Sequence, residues 1–400
     1  MIKSKKKKSK KKIGKPPALI YSVAFFFVNI VYRIKYRISI DRSGLKGIKG
    51  PALVIAPHVS GKDHILTGLA LFPQRPTYVL SHHFNTNKVL RPVLKMMKTI
   101  EKRMFCPDGG SVLNIIRAVR EGNVVLLFPE GRLTWYGRSL SVAEGTADLV
   151  KKLGVNVYTV TSNGAGLTWP KWAKERRRGK IEIKTAHILT PDEIKERSVQ
   201  EIGEVISASI LHDEEKALPS ADFSAKHPSL GLDGIVWKCP ECGEEDCIEC
   251  RDDRAKCRKC GREVTVDGKG VISGFDEKCG IDTVADWYEY CAGSVDITNP
   301  LTSECELDTE DENGNMVKAA GNGRISIDGE KFSFEGKLNG NDLSFDISLS
   351  VMKAFPLSVA DHFDAYYENR LYLFRPTPDP RKAVKFVAYL DKVTASKKND

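Results

Sequence analysis

The fold is decided by a short apolar run that ends in a polar turn. From Pro51 to His64 the chain reads PALVIAPHVSGKDH. Residues 51–56 are apolar without alternation, which is typical of a strand buried on both faces of a sheet. A polar turn and a helical stretch follow this run. Such an order predicts an α/β fold in which the turn lies at the carboxyl edge of a mainly parallel sheet, where ligands bind.

The same alternation of strand and helix continues on both sides of this run. Residues 34–40 alternate apolar and polar side chains, and residues 77–80, 124–128 and 155–160 are further buried-strand candidates. Apolar residues at helical spacing predict helices over residues 111–121, 143–153 and 194–211. The sequence therefore predicts one α/β domain over residues 34–212, with a mainly parallel sheet and flanking helices.

The turn after the first buried strand contains His58 and, five positions later, Asp63. A carboxylate at this distance can hold one ring nitrogen of the histidine and leave the other free as a base. This is the orienting half of a Ser-His-Asp arrangement, in which a hydroxyl of the substrate would be the nucleophile. The alternative is an aspartate that caps the next helix beside a solvated histidine. His64, His82 and His83 have no such partner in the sequence.

A second polar turn follows the run at residues 124–128 and contains Pro129, Glu130, Gly131 and Arg132. Two turns at the same edge of one sheet would converge on a single cleft. Arg132 in that cleft is a candidate to clamp a phosphate.

The two turns together resemble the 1-acyl-glycerol-3-phosphate acyltransferase family, whose motifs are His-x4-Asp and, about seventy residues later, Phe-Pro-Glu-Gly. The resemblance covers roughly residues 34–211. It implies that His58 is the general base and Asp63 its partner, and that Glu130 and Gly131 help to hold the glycerol-phosphate of the acceptor. It also implies an acyl carrier protein or coenzyme A thioester as donor, and no cofactor for catalysis.

Three departures from the family pattern leave the acceptor open. In place of a Gly-x-x-Phe-x-x-Arg-like segment the chain has residues 99–108, where Lys102 or Arg103 is the candidate phosphate ligand. Arg132 replaces the usual Thr or Asn, and the strand at residues 157–161 lacks the usual proline. Lysophosphatidate, glycerol-phosphate and another hydroxylated lipid all remain candidate acceptors.

The charge of the chain is unevenly distributed. Residues 1–235 carry 40 basic and 20 acidic side chains, whereas residues 236–400 carry 22 and 32. Nine lysines lie within residues 1–15, and an apolar run over residues 18–32 follows them. This run is shorter than the roughly 20 residues that cross a bilayer, and it lacks a signal cleavage site. We expect residues 1–33 to bind the anionic cytoplasmic face of the membrane peripherally or by shallow insertion, although a solvated lysine tail is the alternative.

Two tryptophans lie among basic residues after the last predicted strand. Trp169 and Trp172 are close to Lys171, Lys174 and the arginines at residues 176–178. This composition is typical of a surface at the membrane interface or of a phosphate-contact surface. A solvated loop is the alternative.

Six of the ten cysteines fall within residues 239–260. Cys239 and Cys242 form one Cys-x-x-Cys-Gly pair, and Cys257 and Cys260 form a second. This spacing predicts a zinc ribbon over residues 236–270 with one structural zinc. Cys247 and Cys250 form a third pair, and a ligand set drawn from them is a minor alternative. The isolated Cys106, Cys279, Cys291 and Cys305 are expected to pack in the interior.

The remaining segments predict a linker over residues 213–235 and a β-rich domain over residues 271–400. Strand-like stretches at residues 323–328, 332–335, 343–347 and 370–374 are joined in part by Asp328-Gly329 and Asn339-Gly340, which favour tight hairpin turns. A helix is expected over residues 381–393. This arrangement loosely resembles a PH-like lipid-binding barrel capped by a helix.

Two other classes of function compete with the acyltransferase. A nucleic-acid-binding protein would use the lysine tail and the ribbon, but the net acidic charge of residues 236–400 disfavours this class, and no nucleic acid is expected. A non-catalytic lipid-binding or scaffolding protein would keep the fold without the chemistry. The presence of both His58 and Asp63 favours the enzyme.

Overall fold

The computed structural model describes residues 12–399, without the side chains of residues 398 and 399. Most of the predicted lysine tail, residues 1–11, lies outside the described residues. The helices are α1 (Ala18–Lys35), α2 (Asp63–Leu71), α3 (Leu90–Met96), α4 (Gly109–Arg120), α5 (Thr146–Leu153), α6 (Ala165–Thr168), α7 (Pro191–Glu196), α8 (Val199–Ile210), α9 (Glu214–Ala217), α10 (Val284–Gly293) and α11 (Ala383–Asn399).

The strands fall into three sheets. The first, here called the mixed sheet, contains β1 (Arg37–Ile40), β2 (Ala52–Ile55), β3 (Thr77–Ser81), β4 (Ile100–Lys102), β5 (Val124–Leu127), β6 (Asn156–Asn163) and β7 (Lys180–Leu189). The ribbon sheet contains β8 (Ile248–Arg251), β9 (Arg254–Cys257), β10 (Glu263–Val266) and β11 (Ile272–Ser273). The C-terminal sheet contains β12 (Leu301–Glu310), β13 (Met316–Ile327), β14 (Lys331–Leu338), β15 (Asn341–Ser348), β16 (Leu357–Ser358), β17 (His362–Tyr367) and β18 (Arg370–Thr377).

The mixed sheet has the strand order β1-β7-β6-β2-β5-β3-β4. Its neighbours pair in parallel except β6 and β7, which are antiparallel. The predicted α/β fold with a mainly parallel sheet is thus confirmed. Because β2, β5 and β3 are parallel neighbours, the turns that follow them lie at the same carboxyl edge.

Both faces of the mixed sheet are covered, which explains the uninterrupted apolar run in β2. Leu53 and Ile55 face a core that includes side chains from α4, α5 and α8. Ala52 and Val54 face the opposite core, which includes side chains from α2. Successive strand residues point to opposite faces, so a strand between two helical layers needs apolar residues at every position.

Helix α1 lies outside the mixed sheet and is mostly exposed. Tyr21 stacks on Phe25, whose ring lies against Gly68 of α2, and this contact fixes one face of the helix. The other faces leave eight large apolar side chains exposed, namely Leu19, Ile20, Val23, Phe26, Phe27, Ile30, Val31 and Ile34. Among the described residues, α1 is the one helix that is long and apolar enough to span a membrane by length and composition, with a mean hydropathy of 1.5.

The predicted linker is packed against its neighbours. Glu214 and Leu232 are fully buried, and Arg178 forms an isolated β-bridge with Ser224. One continuous core joins Trp135 and Trp172 to the ribbon sheet, the C-terminal sheet and α11. The burial of Trp172 removes it from the membrane-interface surface predicted around the two tryptophans and the basic residues near them.

The C-terminal sheet is antiparallel throughout and has the order β15-β14-β13-β12-β18-β17-β16. The predicted Asn339-Gly340 turn is confirmed, since both residues have positive φ and join β14 to β15. The strands β15 and β16 are the two edges of the sheet. Seven strands and a terminal helix agree with the β-rich region expected from the sequence, and the likeness to a PH-like barrel stays a prediction.

One strand and one helix differ from the expectations. Strand β7 was not predicted, although Ile181 and Ile183 alternate with polar residues, because charged residues surround them. The helix expected over residues 194–211 is two helices, α7 and α8. A new capping box at Ser198 and Glu201 starts α8, since the Ser198 side chain accepts from the Glu201 backbone N–H.

Candidate active site

His58 and Asp63 are joined at the carboxyl end of β2. The Nδ1 atom of His58 lies 3.0 Å from Oδ2 of Asp63, which also accepts the backbone N–H of Ser60 at 2.7 Å. Asp63 is 1% exposed, whereas the side chain of His58 is 23% exposed. The carboxylate holds the proton on Nδ1, so the Nε2 lone pair is free to accept a proton.

Two further contacts fix the position of His58. Its ring stacks on Phe128, with ring centroids 4.3 Å apart and planes inclined by 20°. The backbone carbonyl of His58 accepts the N–H of Thr134 at 2.9 Å. The turn after β2 that contains His58, here called the histidine turn, is therefore held in place by the turn after β5. This is expected for two turns at the same edge of one sheet.

Glu130 is the main link between the two turns. Its Oε2 atom accepts the backbone N–H of His58 through a short hydrogen bond, and its Oε1 atom accepts the N–H of Leu140 at 2.7 Å. The residue is 2% exposed, and burial raises the pKa of Glu130 to about 7. Both oxygens are thus used within the protein, and the side chain sets the position of the histidine backbone.

Gly131 and Arg132 complete this turn. Gly131 has φ +77°, and a Cβ atom there would lie 3.1 Å from the ring of Phe105, so both backbone and space favour glycine. Arg132 donates to Asp391 of α11 at 2.6 Å and to the carbonyl of Phe355 at 3.0 Å. Its guanidinium thus ties the turn to the C-terminal part of the chain, and the phosphate clamp predicted for it stays a prediction.

Lys102 and Arg103 lie at the same carboxyl edge, at the end of β4. Strand β4 is three positions from β2, or about 14 Å at the usual strand spacing. The Nη1 atom of Arg103 donates to Asn369 at 3.0 Å, across to the C-terminal sheet. These cations border the same edge as His58 without contacting it.

A second basic cluster lies next to the histidine turn, and the sequence reasoning missed one member of it. The ammonium of Lys62 lies 4.6 Å from the ring centroid of Tyr36 and 5.2 Å from that of Trp169. The guanidinium of Arg176 lies 4.4 Å from Trp169, which is 39% exposed. Burial lowers the pKa of Lys62 to about 8. Because Lys62 directly precedes Asp63 in the sequence, that position is the signal that could have identified it as part of the site.

Two histidines that lacked a partner in the sequence have carboxylate partners in the fold. His82 contacts Glu101, and its Nε2 atom lies 3.0 Å from Glu310. The hydrogen bond to Glu101 raises the pKa of His82 to about 9. His83 Nδ1 lies 2.8 Å from Asp364. A carboxylate partner therefore does not by itself distinguish His58 from His82 and His83. What distinguishes His58 is its position at the end of β2.

The four cysteines of the predicted zinc ribbon come together. Sulfur atoms of Cys239, Cys242, Cys257 and Cys260 all lie within 4.8 Å of one another, and the Cys239–Cys260 and Cys242–Cys257 pairs are 3.8 Å apart. Tetrahedral zinc with Zn–S bonds of about 2.3 Å needs sulfur atoms about 3.8 Å apart. The donor set therefore fits zinc, and the nearby Cys247 lies 3.4 Å from Cys257.

The glycines after the two cysteine pairs have the conformation expected of such a ribbon. Gly243 and Gly261 have φ of +74° and +78°. This positive φ suits glycine and lets the backbone turn behind each pair. Of the isolated cysteines, Cys291 and Cys305 are buried, while Cys106 and Cys279 are half-buried.

Comparison with known proteins gives a match over the part of the chain that holds His58 and Glu130. Residues 33–163, about a third of the chain, match the family model described as Acyltransferase. Among solved structures, the chain is similar to the 1-acyl-sn-glycerophosphate (LPA) acyltransferase PlsC from Thermotoga maritima. The identity is 15% and the TM-score 0.37, over 48% of this chain and 93% of that chain.

Proposed function

We propose that this chain is a membrane-associated acyltransferase that moves a fatty acyl group from a thioester to the hydroxyl of a glycerol-phosphate-type lipid. The observation that carries the proposal is the His58–Asp63 pair at the carboxyl end of β2. This pair lies within the residues that match the Acyltransferase family model. The likeness of the two turns to the 1-acyl-glycerol-3-phosphate acyltransferases supports the same reaction.

The chemistry follows from the tautomer of His58. The acceptor hydroxyl loses its proton to Nε2 as its oxygen attacks the thioester carbonyl carbon, and Asp63 stabilises the imidazolium that forms. When the tetrahedral intermediate collapses, the carbon–sulfur bond breaks, and the thiolate takes the proton back from Nε2. The ester is formed and the base is restored, so the step needs no cofactor.

The acceptor would approach from the side of α1. The exposed apolar side chains of α1 and the exposed ring of Trp169 suit the interface of a membrane. At 1.5 Å per residue the 18 residues of α1 extend about 27 Å, which is at the lower limit for crossing the roughly 30 Å hydrocarbon core. We therefore propose shallow insertion on the cytoplasmic face, with the lysines of residues 1–15 on anionic headgroups.

Cationic side chains on two sides of His58 are candidates for the acceptor phosphate. Lys102 and Arg103 lie at the end of β4, and Lys62 and Arg176 border Trp169. Glu130 and Gly131 would act by holding the histidine turn in place rather than by contacting the lipid. The ribbon zinc would stabilise the fold of its own sheet, because its four donors are all cysteines.

Product analysis tests the proposal. The purified full-length protein is incubated with a mixture of acyl carrier protein and coenzyme A thioesters and with lysophosphatidate, glycerol-phosphate and other hydroxylated lipids, and products are identified by mass spectrometry. We expect an acylated glycerolipid that is absent with His58→Ala and present with the control His187→Ala, an exposed histidine elsewhere in the mixed sheet. No acylated product from any pair of substrates would overturn the proposal.

A further inference from the structure

Three potential metal ligands meet where the C-terminal sheet contacts the mixed sheet. His83 follows β3, whereas His362 and Asp364 lie two residues apart on β17 and therefore point to the same face. One ligand atom from each of the three residues lies within 4.8 Å of the others. The cluster is separate from the four cysteines and plays no part in the proposed acyl transfer.

His362 has a ring nitrogen without a partner. Its Nδ1 atom lies 2.9 Å from Asp361, whose carboxylate is held by Nε of Arg375 at 2.6 Å. The residue is 8% exposed, and its Nε2 atom is buried without a hydrogen-bond partner among the described residues. In the tautomer that donates from Nδ1 to Asp361, the ring presents a lone pair at Nε2.

The lone pair faces a carboxylate. Nε2 of His362 lies 3.5 Å from Oδ1 of Asp364, and Oδ2 of Asp364 lies 2.8 Å from Nδ1 of His83. Two acceptors facing each other in the interior repel unless a proton or a cation lies between them. Asp364 is 6% exposed, so bulk water does not screen this repulsion.

The three ligand groups are also close enough together to surround one metal ion. Tetrahedral coordination with bonds of about 2.0–2.1 Å places neighbouring nitrogen and oxygen ligands about 3.3 Å apart. The two observed separations run to different oxygens of Asp364, 2.8 Å from His83 to Oδ2 and 3.5 Å from His362 to Oδ1, so the carboxylate lies between the two imidazoles, where one ion could contact a ligand atom of each residue. Two imidazoles and one carboxylate are ligands that suit zinc and neighbouring divalent transition metals.

We propose that His83, His362 and Asp364 bind a divalent transition metal of the zinc type, in addition to the metal expected at the cysteine ribbon. Asp361 orients His362 from behind, as a carboxylate commonly does for a metal-bound histidine. Three protein ligands leave a fourth position for water or for an oxygen of another ligand. The metal joins residues about 280 positions apart and ties the C-terminal sheet to the edge of the mixed sheet that carries His58.

The alternative is a purely ionic contact. A second proton on His362 would turn the lone pair into a donor toward Asp364, and His83 would pair with the same carboxylate without any metal. The two arrangements differ in metal content, which can be measured without reference to acyl transfer.

Metal stoichiometry distinguishes them. The full-length protein is purified, exposed to Zn²⁺ at a buffered free concentration, exchanged into metal-free buffer and analysed by plasma mass spectrometry. We expect two equivalents of zinc in the parent, one in Cys239→Ser and none when His362→Ala is added to Cys239→Ser. The control His187→Ala, an exposed histidine hydrogen-bonded to Asn156, should leave the metal content of either background unchanged.

Cobalt substitution identifies the ligands. In the Cys239→Ser background, bound Co²⁺ should give the weak visible bands of nitrogen and oxygen ligands and no sulfur charge-transfer band. His83→Gln, a substitution at a half-buried ring, should remove these bands and serves as a second variant if His362→Ala reduces folding. Zinc content unchanged by both His362→Ala and His83→Gln, or zinc lost from the Cys239→Ser protein on buffer exchange, would overturn the proposal.

Discussion

Replacing Asp63 with asparagine changes one oxygen atom in the centre of the proposed site. In the structure, Oδ2 of Asp63 accepts hydrogen bonds from both His58 and the backbone of Ser60. An asparagine oxygen in the same place would keep both bonds but lose the negative charge. The new amide nitrogen would then occupy the place of Oδ1, which is buried without a partner among the described residues.

The size of the effect follows from these contacts. A hydrogen bond to a charged group contributes about 1.5–3 kcal/mol and a neutral one about 0.5–1.5 kcal/mol, so losing the charge costs about 1–1.5 kcal/mol, and each 1.36 kcal/mol corresponds to a factor of ten in rate. We expect Asp63→Asn to lower kcat by roughly 5- to 13-fold or more. His58→Ala removes the base itself and should lower kcat by about 10² to 10⁴-fold. The unpartnered amide should also reduce the free energy of unfolding by about 1–3 kcal/mol.

The assay measures kcat and KM for acyl transfer on vesicles with the full-length variants. Asp192→Asn, at an exposed aspartate of α7, is the matched control and should behave as the parent. Circular dichroism and vesicle sedimentation establish that each variant is folded and membrane-bound. Because Asp63 is proposed to act through His58, Asp63→Asn should have little further effect on kcat in the His58→Ala protein.

Two results would refute this reasoning. Near-normal turnover by folded His58→Ala would remove the proposed base. A kcat loss for Asp63→Asn that is equally large in the presence and absence of His58 would show that Asp63 acts independently of the imidazole.

Four further predictions concern other parts of the chain. Glu130→Gln places an amide donor against a backbone N–H and should lower kcat more than it raises the acceptor KM; a change confined to KM would instead indicate direct contact with the acceptor. Lys62→Met should raise the Tm more at pH 7 than at about pH 10. Burial holds the pKa of Lys62 near 8 in the folded protein, below the usual 10.5, so the charged side chain destabilises the fold at pH 7 and this cost falls as the pH rises above 8. An equal gain in Tm at both pH values would contradict this prediction. Cys239→Ser should remove the ribbon zinc while leaving acyl transfer measurable, and loss of activity in folded, membrane-bound protein would show that the ribbon shapes the active site. Deleting residues 1–15 should weaken binding to anionic vesicles as strongly as added salt does, since surface charges are screened within about 10 Å at 0.1 M. Vesicle binding that changes with neither the deletion nor the salt concentration would exclude the electrostatic contribution.

Much of the mixed sheet could be predicted from the sequence because its signals are local. The uninterrupted apolar run before His58 predicts a strand covered on both faces, and the structure has β2 between two helical layers. His58 and Asp63 are five positions apart, so one turn brings them together. The two cysteine pairs are likewise local knuckles, each with its glycine at positive φ.

The remaining features depend on which segments become neighbours. The antiparallel pairing of β6 and β7 is not encoded in the apolar pattern of either strand, because the pattern specifies the faces of a strand and not its direction. The burial of Trp172 and the packed state of the predicted linker depend on the ribbon and C-terminal sheets that cover them.

The sequence by itself determined the α/β fold, the polar turn with His58 and Asp63, and the grouping of four cysteines, since each rests on residues close together in the chain or on a repeated apolar pattern. Only the tertiary structure decided that Glu130 holds the backbone of His58, that Arg132 pairs with Asp391, and that His83 meets Asp364. These partners are 72, 259 and 281 positions apart. No periodicity along the chain specifies such pairs, because they form only when distant strands are paired in one sheet or when separate sheets pack against one another.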